Sequence, residues 1–222
     1  MGVESANLLS TMRSQAERLF RTSLRRVDPY EAVRRFVRLD GKRLLLHPEG
    51  EPEDVLDLQE FDRVFVVGGG KATAPMARAM EDILGERIKK GVINVKYGFA
   101  EKLLRTEIIE AGHPLPDQKG VEGAGKILNL LQSAGEGDLV FSLISGGGSA
   151  LLPLTAGTTT LAEKQALTQK LLECGASIEE INTIRKHISL SKGGQLARAA
   201  FPATTVNLML SDVVGDKMDV IA

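Results

Sequence analysis

Tryptophan is absent from this 222-residue chain, aromatic residues make up only 4% of it, and cysteine occurs once. Few side chains are therefore available to stack on bases, and a formal net charge of −1 gives no general attraction to nucleic acid or to an anionic membrane. No apolar run approaches the length of a membrane span, and the first ten residues lack a signal-peptide pattern. These absences argue against nucleic-acid and membrane partners and predict a cytoplasmic protein.

The scarcity of thiol and imidazole groups also limits the chemistry. Cys174 cannot form an internal disulfide, and its place at the end of an amphipathic helix predicts a buried structural thiol rather than a nucleophile. The three histidines are widely separated and lack the spacing of zinc ligands. His113, which precedes Pro114, is predicted to be a turn or packing residue rather than a general base.

Apolar strands alternate with amphipathic helices over most of the chain, which is typical of a right-handed parallel sheet. We therefore predict an α/β fold, a Rossmann-like parallel-sheet sandwich with helices on both faces, over residues 61–222. Residues 1–60 are predicted to form two N-terminal helices, broken at Asp28-Pro29, and a connection in which Leu44 to Leu46 form an edge strand. Strands are predicted at 64–67, 91–95, 106–110, 139–144 and 204–210, and the later helices near 160–174, 178–187 and 189–200.

Two glycine-rich turns directly follow two of these strands. The first, Gly68-Gly69-Gly70-Lys71-Ala72, lacks the first glycine and the Ser or Thr of a P-loop. It also departs from a dinucleotide fingerprint, since Thr73 replaces the third glycine and residues 94–97 offer no ribose-binding acid. A lysine at a helix start still predicts an anion site, with a solvated lysine in a tight turn as the alternative. An NADP site with Lys96 on the 2′-phosphate remains a minor alternative.

The second turn, Ser145-Gly146-Gly147-Gly148-Ser149, offers two hydroxyl groups and a run of backbone N–H groups. Such a turn is a good cradle for phosphate or carboxylate oxygens. The alternative is that its glycines only allow a close backbone contact between a helix and the sheet.

Polar residues beyond these turns could complete a site. Asp212 and Asp216 follow the last strand around a glycine turn, where they suit Mg²⁺ or, for Asp212, a general base; capping a turn is the alternative. Asn182 and Arg185 share a predicted helix, and Lys192 follows it, so that a carboxylate clamp is conceivable. A basic last helical turn could instead simply complement the helix dipole.

Taken together in their order, these motifs strongly resemble the N-terminal domain of the type-2 glycerate kinases of the MOFRL group, over roughly residues 5–222. The resemblance implies ATP- and Mg²⁺-dependent phosphorylation of D-glycerate at its 2-hydroxyl, which gives 2-phosphoglycerate. It further implies that Lys71 stabilises charge on the substrate or the transferring phosphoryl group and that residues 145–149 hold substrate or nucleotide phosphate. The motifs are Val66 to Ala72, Glu110 to Asp117, Leu143 to Leu152, Glu180-Ile181-Asn182 with Arg185-Lys186-His187, Lys192-Gly193-Gly194 and Leu210 to Asp216.

The resemblance also implies a smaller C-terminal domain across the active-site cleft. The chain ends at Ala222, before that domain, and we therefore expect that it is a fragment whose turnover is incomplete by itself. Family members have also carried the name hydroxypyruvate reductase, so an NAD(P)H-dependent reductase is the enzymatic alternative. A non-catalytic sugar-acid or phosphate-binding module is a third. Whether the N-terminal helices mediate a homodimer is left open.

Overall fold

The structure is a computed structural model, which describes residues 2–47 and 54–211 together with residues 213 and 215. Helix α1 (Gly2–Arg26) is followed by α2 (Pro29–Phe36), and Asp28 caps α2 by accepting a 2.9 Å hydrogen bond from the N–H of Glu31. The predicted break between the two N-terminal helices is confirmed.

A small antiparallel sheet follows these helices, formed by β1 (Val37–Asp40), β2 (Arg43–Leu46) and β3 (Asp54–Asp57). The prediction of an edge strand at Leu44 to Leu46 is wrong in one respect, because β2 is the central strand of this separate sheet. Its flanking strands are only four residues long and carry charged residues, so the sequence pattern concealed them. Leu44 and Leu46 point into the main core.

The main sheet has five parallel strands in the order β6-β5-β4-β7-β8. Strands β5 and β6 extend the sheet on one side of β4, and β7 and β8 extend it on the other, so that the strand order reverses between β4 and β7. Doubly wound sheets bind their ligands at the carboxyl ends of the strands at such a point. The strands are β4 (Arg63–Gly69), β5 (Ile88–Lys96), β6 (Thr106–Ala111), β7 (Asp138–Ser145) and β8 (Thr204–Leu210). The predicted parallel α/β sheet is confirmed.

Helices cover both faces of the main sheet. The helices that follow its strands are α3 (Thr73–Leu84), α4 (Gln118–Gln132), α5 (Gly148–Leu151), α6 (Leu161–Glu173), α7 (Ile178–His187) and α8 (Gln195–Ala200). One core contains Val66, Phe141 and the buried side of α3, and the other contains Val67, Val140 and the buried side of α4. Alternate residues of one strand thus enter opposite cores, as the pleat requires.

Two local predictions are wrong. Cys174 is exposed rather than buried, because it lies at the carboxyl end of α6. Its thiol donates to the Leu171 carbonyl, 3.3 Å away. The helix predicted at 189–200 is shorter and begins at Gln195. Gly193 and Gly194 have φ of 59° and 84°, a conformation that interrupts a right-handed helix. No helix in the described part of the chain is long and apolar enough to cross a membrane.

The amino-terminal edge of the sheet is held by the buried carboxylate of Asp138. Arg63 Nε lies 2.8 Å from its Oδ1 and Arg63 Nη2 lies 2.5 Å from its Oδ2, which also accepts from the N–H of Gly135 at 2.7 Å. The hydrogen bonds from Arg63, and then that from Gly135, lower the pKa of Asp138 against the opposing effect of burial.

Replacing Asp138 by asparagine is therefore expected to lower the free energy of unfolding at pH 7 by about 1–3 kcal/mol, the range for hydrogen bonds to a buried charge. Because the folded-state pKa is depressed, this contribution is present above the unfolded pKa and is lost as pH falls through the folded pKa. Urea unfolding of both proteins between pH 7 and pH 3 should show curves that converge at acid pH. A difference independent of pH would contradict the assignment.

Candidate functional site

Five chain segments meet at the carboxyl edge of the main sheet. The first glycine turn follows β4, Lys96 ends β5, His113 comes two residues after β6, the second glycine turn follows β7, and Ser211 follows β8. The two glycine turns lie next to each other because β4 and β7 are paired neighbours. The candidate site is built around this pair of turns.

The first glycine turn uses its own N–H groups within the protein. The N–H of Gly70 donates to the Asn94 carbonyl at 3.1 Å, that of Lys71 to the Gly146 carbonyl at 2.9 Å, and that of Ala72 to Ser145 Oγ at 3.0 Å. Ser145 Oγ also lies 3.2 Å from Thr73 Oγ1. The N–H groups of Lys71 and Ala72 therefore join the two turns, and that of Gly70 joins the first turn to β5, so that none of the three is directed at a ligand.

The glycines of the first turn are required by packing. A Cβ on Gly68 would overlap the carbonyl oxygen of Leu143, and one on Gly69 would lie 2.7 Å from Leu152 Cγ. Gly70 has a φ of 152° and faces Ser145 in the same way. Close backbone packing, the alternative raised for the second turn, therefore accounts for the glycines of the first, and phosphate contact by Gly68, Gly69 and Gly70 stays a prediction.

The second glycine turn faces two basic side chains. Gly147 has a φ of 89° and precedes the short helix α5. A Cβ on Gly147 would lie 2.8 Å from His113 Nε2 and 3.3 Å from Lys71 Cγ, so that only glycine lets all three residues meet. The buried Oγ of Ser149 has no hydrogen-bond partner among the described residues. The second turn thus contacts Lys71 and His113 at Gly147 and carries an unpartnered buried hydroxyl at Ser149.

The positive charges of nearby lysines act on His113. Burial first, and then the charges of Lys71 and Lys96, lower the pKa of His113. The imidazole is therefore neutral at physiological pH, and one ring nitrogen has a free lone pair. The three side chains together favour an anion, since two ammonium groups lie close to a partly buried ring.

Replacing Lys71 by methionine is expected to raise the pKa of His113, because removal of a nearby positive charge favours the protonated ring. Burial and Lys96 remain, so the value should stay below that of an exposed histidine. The Cε1–H resonance of His113, followed by NMR between pH 4 and pH 9, measures the shift. Lys89→Met, at the opposite end of β5, is the control and should leave the titration unchanged.

A cavity of about 220 Å³ adjoins the second turn. Residues 145–149, Asn182, Arg185 and Ser211 line it. Helix α7 brings Asn182 and Arg185 there, and its start is fixed by a capping box in which Glu180 Oε2 accepts the N–H of Ser177 at 2.8 Å. The structure therefore brings Asn182 and Arg185, two of the predicted binding residues, to the second glycine turn.

Lys192 lies deeper than the other predicted residues. Its side chain is buried, its Nζ donates to the Leu152 carbonyl at 2.9 Å, and it lines a second cavity of about 300 Å³ that shares Gly148 with the first. Lys164 on α6 is equally buried and donates to the Pro153 carbonyl at 3.0 Å. The charges of Lys164 and Arg185 both act on Lys192.

The predicted metal ligands Asp212 and Asp216 lie outside the described residues. Within residues 2–47 and 54–211, no group of three or more His, Cys, Asp or Glu side chains could hold a metal ion. The magnesium assignment therefore stays a prediction that rests on these two aspartates.

Asn94 occupies the place where a dinucleotide-binding fold would carry its ribose-binding acid. Its side chain is fully buried, and Nδ2 donates to the Gly120 carbonyl at 2.9 Å and the Leu151 carbonyl at 2.7 Å. The amide nitrogen therefore ties β5 to α4 and α5, and the complete burial of the side chain keeps it from a ribose.

Comparison with known proteins gives the family. A family model described as "Domain of unknown function (DUF4147)" matches residues 15–222. The chain belongs to the DUF4147 family. It is similar to a protein named D-glycerate 2-kinase from Thermotoga maritima, with 47% identity over 176 residues, 79% of this chain and 42% of that protein. It is also similar to a putative hydroxypyruvate reductase from Agrobacterium vitis, with 49% identity over 160 residues, 72% of this chain and 36% of that protein.

A crystal structure of a Thermotoga maritima glycerate kinase superposes on this DUF4147 domain with a TM-score of 0.79 at 41% identity, covering 95% of this chain and 47% of that one. The predicted resemblance to glycerate kinases is confirmed. The chain spans less than half the length of the relatives it matches.

In this DUF4147 domain, Lys164 was not predicted as a site residue. Lys96 was considered only for an NADP site, and His113 only as a turn or packing residue. Lys164 lies three residues after Leu161 and three before Leu167, so that it stands on the apolar side of α6. A lysine at such a position is the signal that could have revealed it. His113 was predicted to pack in a turn, which is correct, but its contact with Gly147 also places it in the site.

Proposed function

We propose that this DUF4147 domain is part of an ATP-dependent glycerate 2-kinase, which phosphorylates D-glycerate at its 2-hydroxyl to give 2-phosphoglycerate. The observation that carries the proposal is the meeting of Lys71 and His113 at Gly147, in a turn that also carries the unpartnered buried hydroxyl of Ser149, at the carboxyl edge of the sheet. The similarity to proteins named glycerate 2-kinase and glycerate kinase supports the same conclusion.

Lys71 is assigned the most direct role. Its backbone N–H is fixed to the Gly146 carbonyl, which holds the base of the side chain against the second turn. Its ammonium group would bind the D-glycerate carboxylate and stabilise negative charge that develops during transfer. Neutral His113 would accept a hydrogen bond from a hydroxyl group of the substrate, and Ser149 Oγ would donate to an oxyanion.

The residues present fit an anionic nucleotide, because buried cations and an unpartnered hydroxyl adjoin the cavities beside the second turn. ATP would supply the phosphoryl group, and Mg²⁺ would neutralise phosphate charge. Asp212 and Asp216 are the proposed magnesium ligands, and Asp212 is the proposed general base.

The reductase alternative receives less support. Asn94 is fully buried and cannot replace a ribose-binding acid, and Thr73 is engaged with Ser145 where a third glycine would stand. The name of the Agrobacterium vitis relative is the observation in its favour.

Phosphorus NMR tests the proposal directly. Incubated with D-glycerate and Mg·ATP, the protein together with the second domain inferred below should form ADP and 2-phosphoglycerate, which has a phosphorus resonance distinct from that of 3-phosphoglycerate. Oxidation of NADPH with hydroxypyruvate, and no phosphorylated product, would contradict it. Binding of D-glycerate without any transfer would favour the sugar-acid-binding module.

The remaining organisation is also proposed. We infer a second domain that faces this one across the cleft, since the relatives are more than twice as long. A homodimer would form through α1, on which Leu8, Leu19 and Phe20 are each more than 60% exposed. Light scattering of the intact chain and of Leu19→Glu tests that contact. We also propose a cytoplasmic location.

A further inference from the structure

Three cationic side chains lie close together near the second glycine turn without a carboxylate beside them. Lys164 and Lys192 are each only 3% exposed, and Arg185 is half-buried at the edge of the 220 Å³ cavity. Among residues 2–47 and 54–211, none of the three forms an ion pair, and no acidic side chain acts on their pKa values. This buried cationic cluster is unusual, since buried charges are ordinarily paired.

Backbone carbonyls meet only part of the hydrogen-bonding capacity of the cluster. Lys192 Nζ donates to the Leu152 carbonyl, which also accepts from Ser191 Oγ at 2.6 Å, and Lys164 Nζ donates to the Pro153 carbonyl. An ammonium group has three N–H donors, so one carbonyl satisfies one of them. The carbonyl contacts fix where both ammonium groups lie and leave further donors for a ligand.

Burial and mutual repulsion destabilise the charged forms of the two lysines in the cluster. Burial first, and then the charge of Arg185, lower the pKa of Lys164 to about 8. Burial, and then Lys164 and Arg185, lower the pKa of Lys192 well below its ordinary value. A ligand with several negative charges would remove this cost, because each charge would attract all three cations in a medium of low dielectric constant.

Two members of the cluster line the cavities beside the second glycine turn. Lys192 lines the 300 Å³ cavity and Arg185 the 220 Å³ cavity, and the two cavities share Gly148 and Met209 as walls. Lys71 and His113 instead meet the turn at Gly147. The turn therefore contacts Lys71 and His113 and, on Gly148, shares cavity walls with Arg185 and Lys192.

We propose that Lys164, Arg185 and Lys192 form a second anion site, which takes the polyphosphate of the nucleotide, while Lys71 and His113 take D-glycerate. This assignment rests on the proposed kinase function. Up to three positive charges match a polyphosphate of three or more negative charges, whereas the single carboxylate of glycerate would leave two of them uncompensated. The second glycine turn then lies between the phosphoryl donor, ATP, and the phosphoryl acceptor, D-glycerate.

Calorimetric titration of the 222-residue chain with inorganic tripolyphosphate tests the assignment without any turnover. Arg185→Gln keeps both lysine–carbonyl contacts and is expected to weaken tripolyphosphate binding at least about tenfold, as loss of one charge-assisted contact would. Lys192→Met should do the same. Lys170→Met, on an exposed position of the same helix as Lys164, removes the same charge and should change nothing.

A second readout is the uptake of protons. A bound polyanion raises the pKa of Lys164 from about 8, so at pH 8 binding should take up protons, measured from titrations in Tris and in HEPES. Uptake should be smaller in Lys164→Met. Melting temperatures of all variants show whether each remains folded.

Several outcomes would overturn the assignment. These are no binding of tripolyphosphate, equal weakening by Lys170→Met and Arg185→Gln, inorganic phosphate binding as tightly as tripolyphosphate, or Lys71→Ala alone abolishing tripolyphosphate binding. Failure of the kinase proposal has a different signature, because it would appear as absent binding or phosphorylation of D-glycerate whatever tripolyphosphate does.

Discussion

Replacing Lys71 by alanine is expected to lower phosphoryl transfer to D-glycerate by about 10²- to 10³-fold, the usual loss when one preorganised group that stabilises developing charge is removed. The side chain lies against Gly147, and its backbone N–H is held by Gly146, so that its base is fixed at the second turn. Lys96 acts on the same histidine but belongs to a different strand. Rates followed by ADP release, with D-glycerate varied, separate the loss in kcat from that in KM.

Lys89→Ala is the matched control for this prediction. It removes the same charge from an exposed position near the start of β5, at the other edge of the sheet. Its rate should equal that of the unmodified protein. If both variants were equally slow, or both unaffected, Lys71 would have no special place in the site.

Replacing Gly68 by alanine is expected to destabilise the fold by more than about 3 kcal/mol, at the severe end of single substitutions. The new Cβ would overlap the backbone carbonyl of Leu143, and backbone in a central strand cannot move aside as a flexible side chain can. Separation of β4 from β7 would also displace both glycine turns. Urea unfolding measures the loss, and a chain that no longer folds agrees with it.

Gly125→Ala is the opposite case within the same chain. Gly125 lies inside α4, and a Cβ there would meet nothing within 4 Å. Alanine is favoured over glycine in a helix, so this variant should gain up to about 1 kcal/mol. A small effect at Gly68, similar to that at Gly125, would contradict the packing role of the first turn.

The sequence allowed the fold to be predicted because its strands are continuous apolar runs separated by amphipathic helices. Val64 to Val67 and Leu139 to Ile144 are typical of strands buried on both faces. The small antiparallel sheet could not be recognised in the same way, since its strands have four residues each. Cys174 was misassigned because helix periodicity does not show where a helix end meets solvent.

The candidate site was predictable only in part. The second glycine turn, Asn182 and Arg185 were expected together and line one cavity. The glycines of the first turn suggested an anion cradle, but glycine also permits close backbone packing, and sequence alone does not distinguish these uses. The cluster of Lys164 with Lys192 brings together α6 and the segment after α7, a tertiary contact that no local pattern encodes.

The proposed function requires that this DUF4147 domain binds a sugar acid and a nucleoside triphosphate rather than a nicotinamide dinucleotide. The most direct test is calorimetric titration of the chain with D-glycerate, Mg·ATP and NADPH, repeated with Lys71→Ala. We expect that D-glycerate binds and that the substitution weakens this binding, that Mg·ATP binds, and that NADPH does not. Binding of NADPH, with no heat from D-glycerate or Mg·ATP, would contradict it.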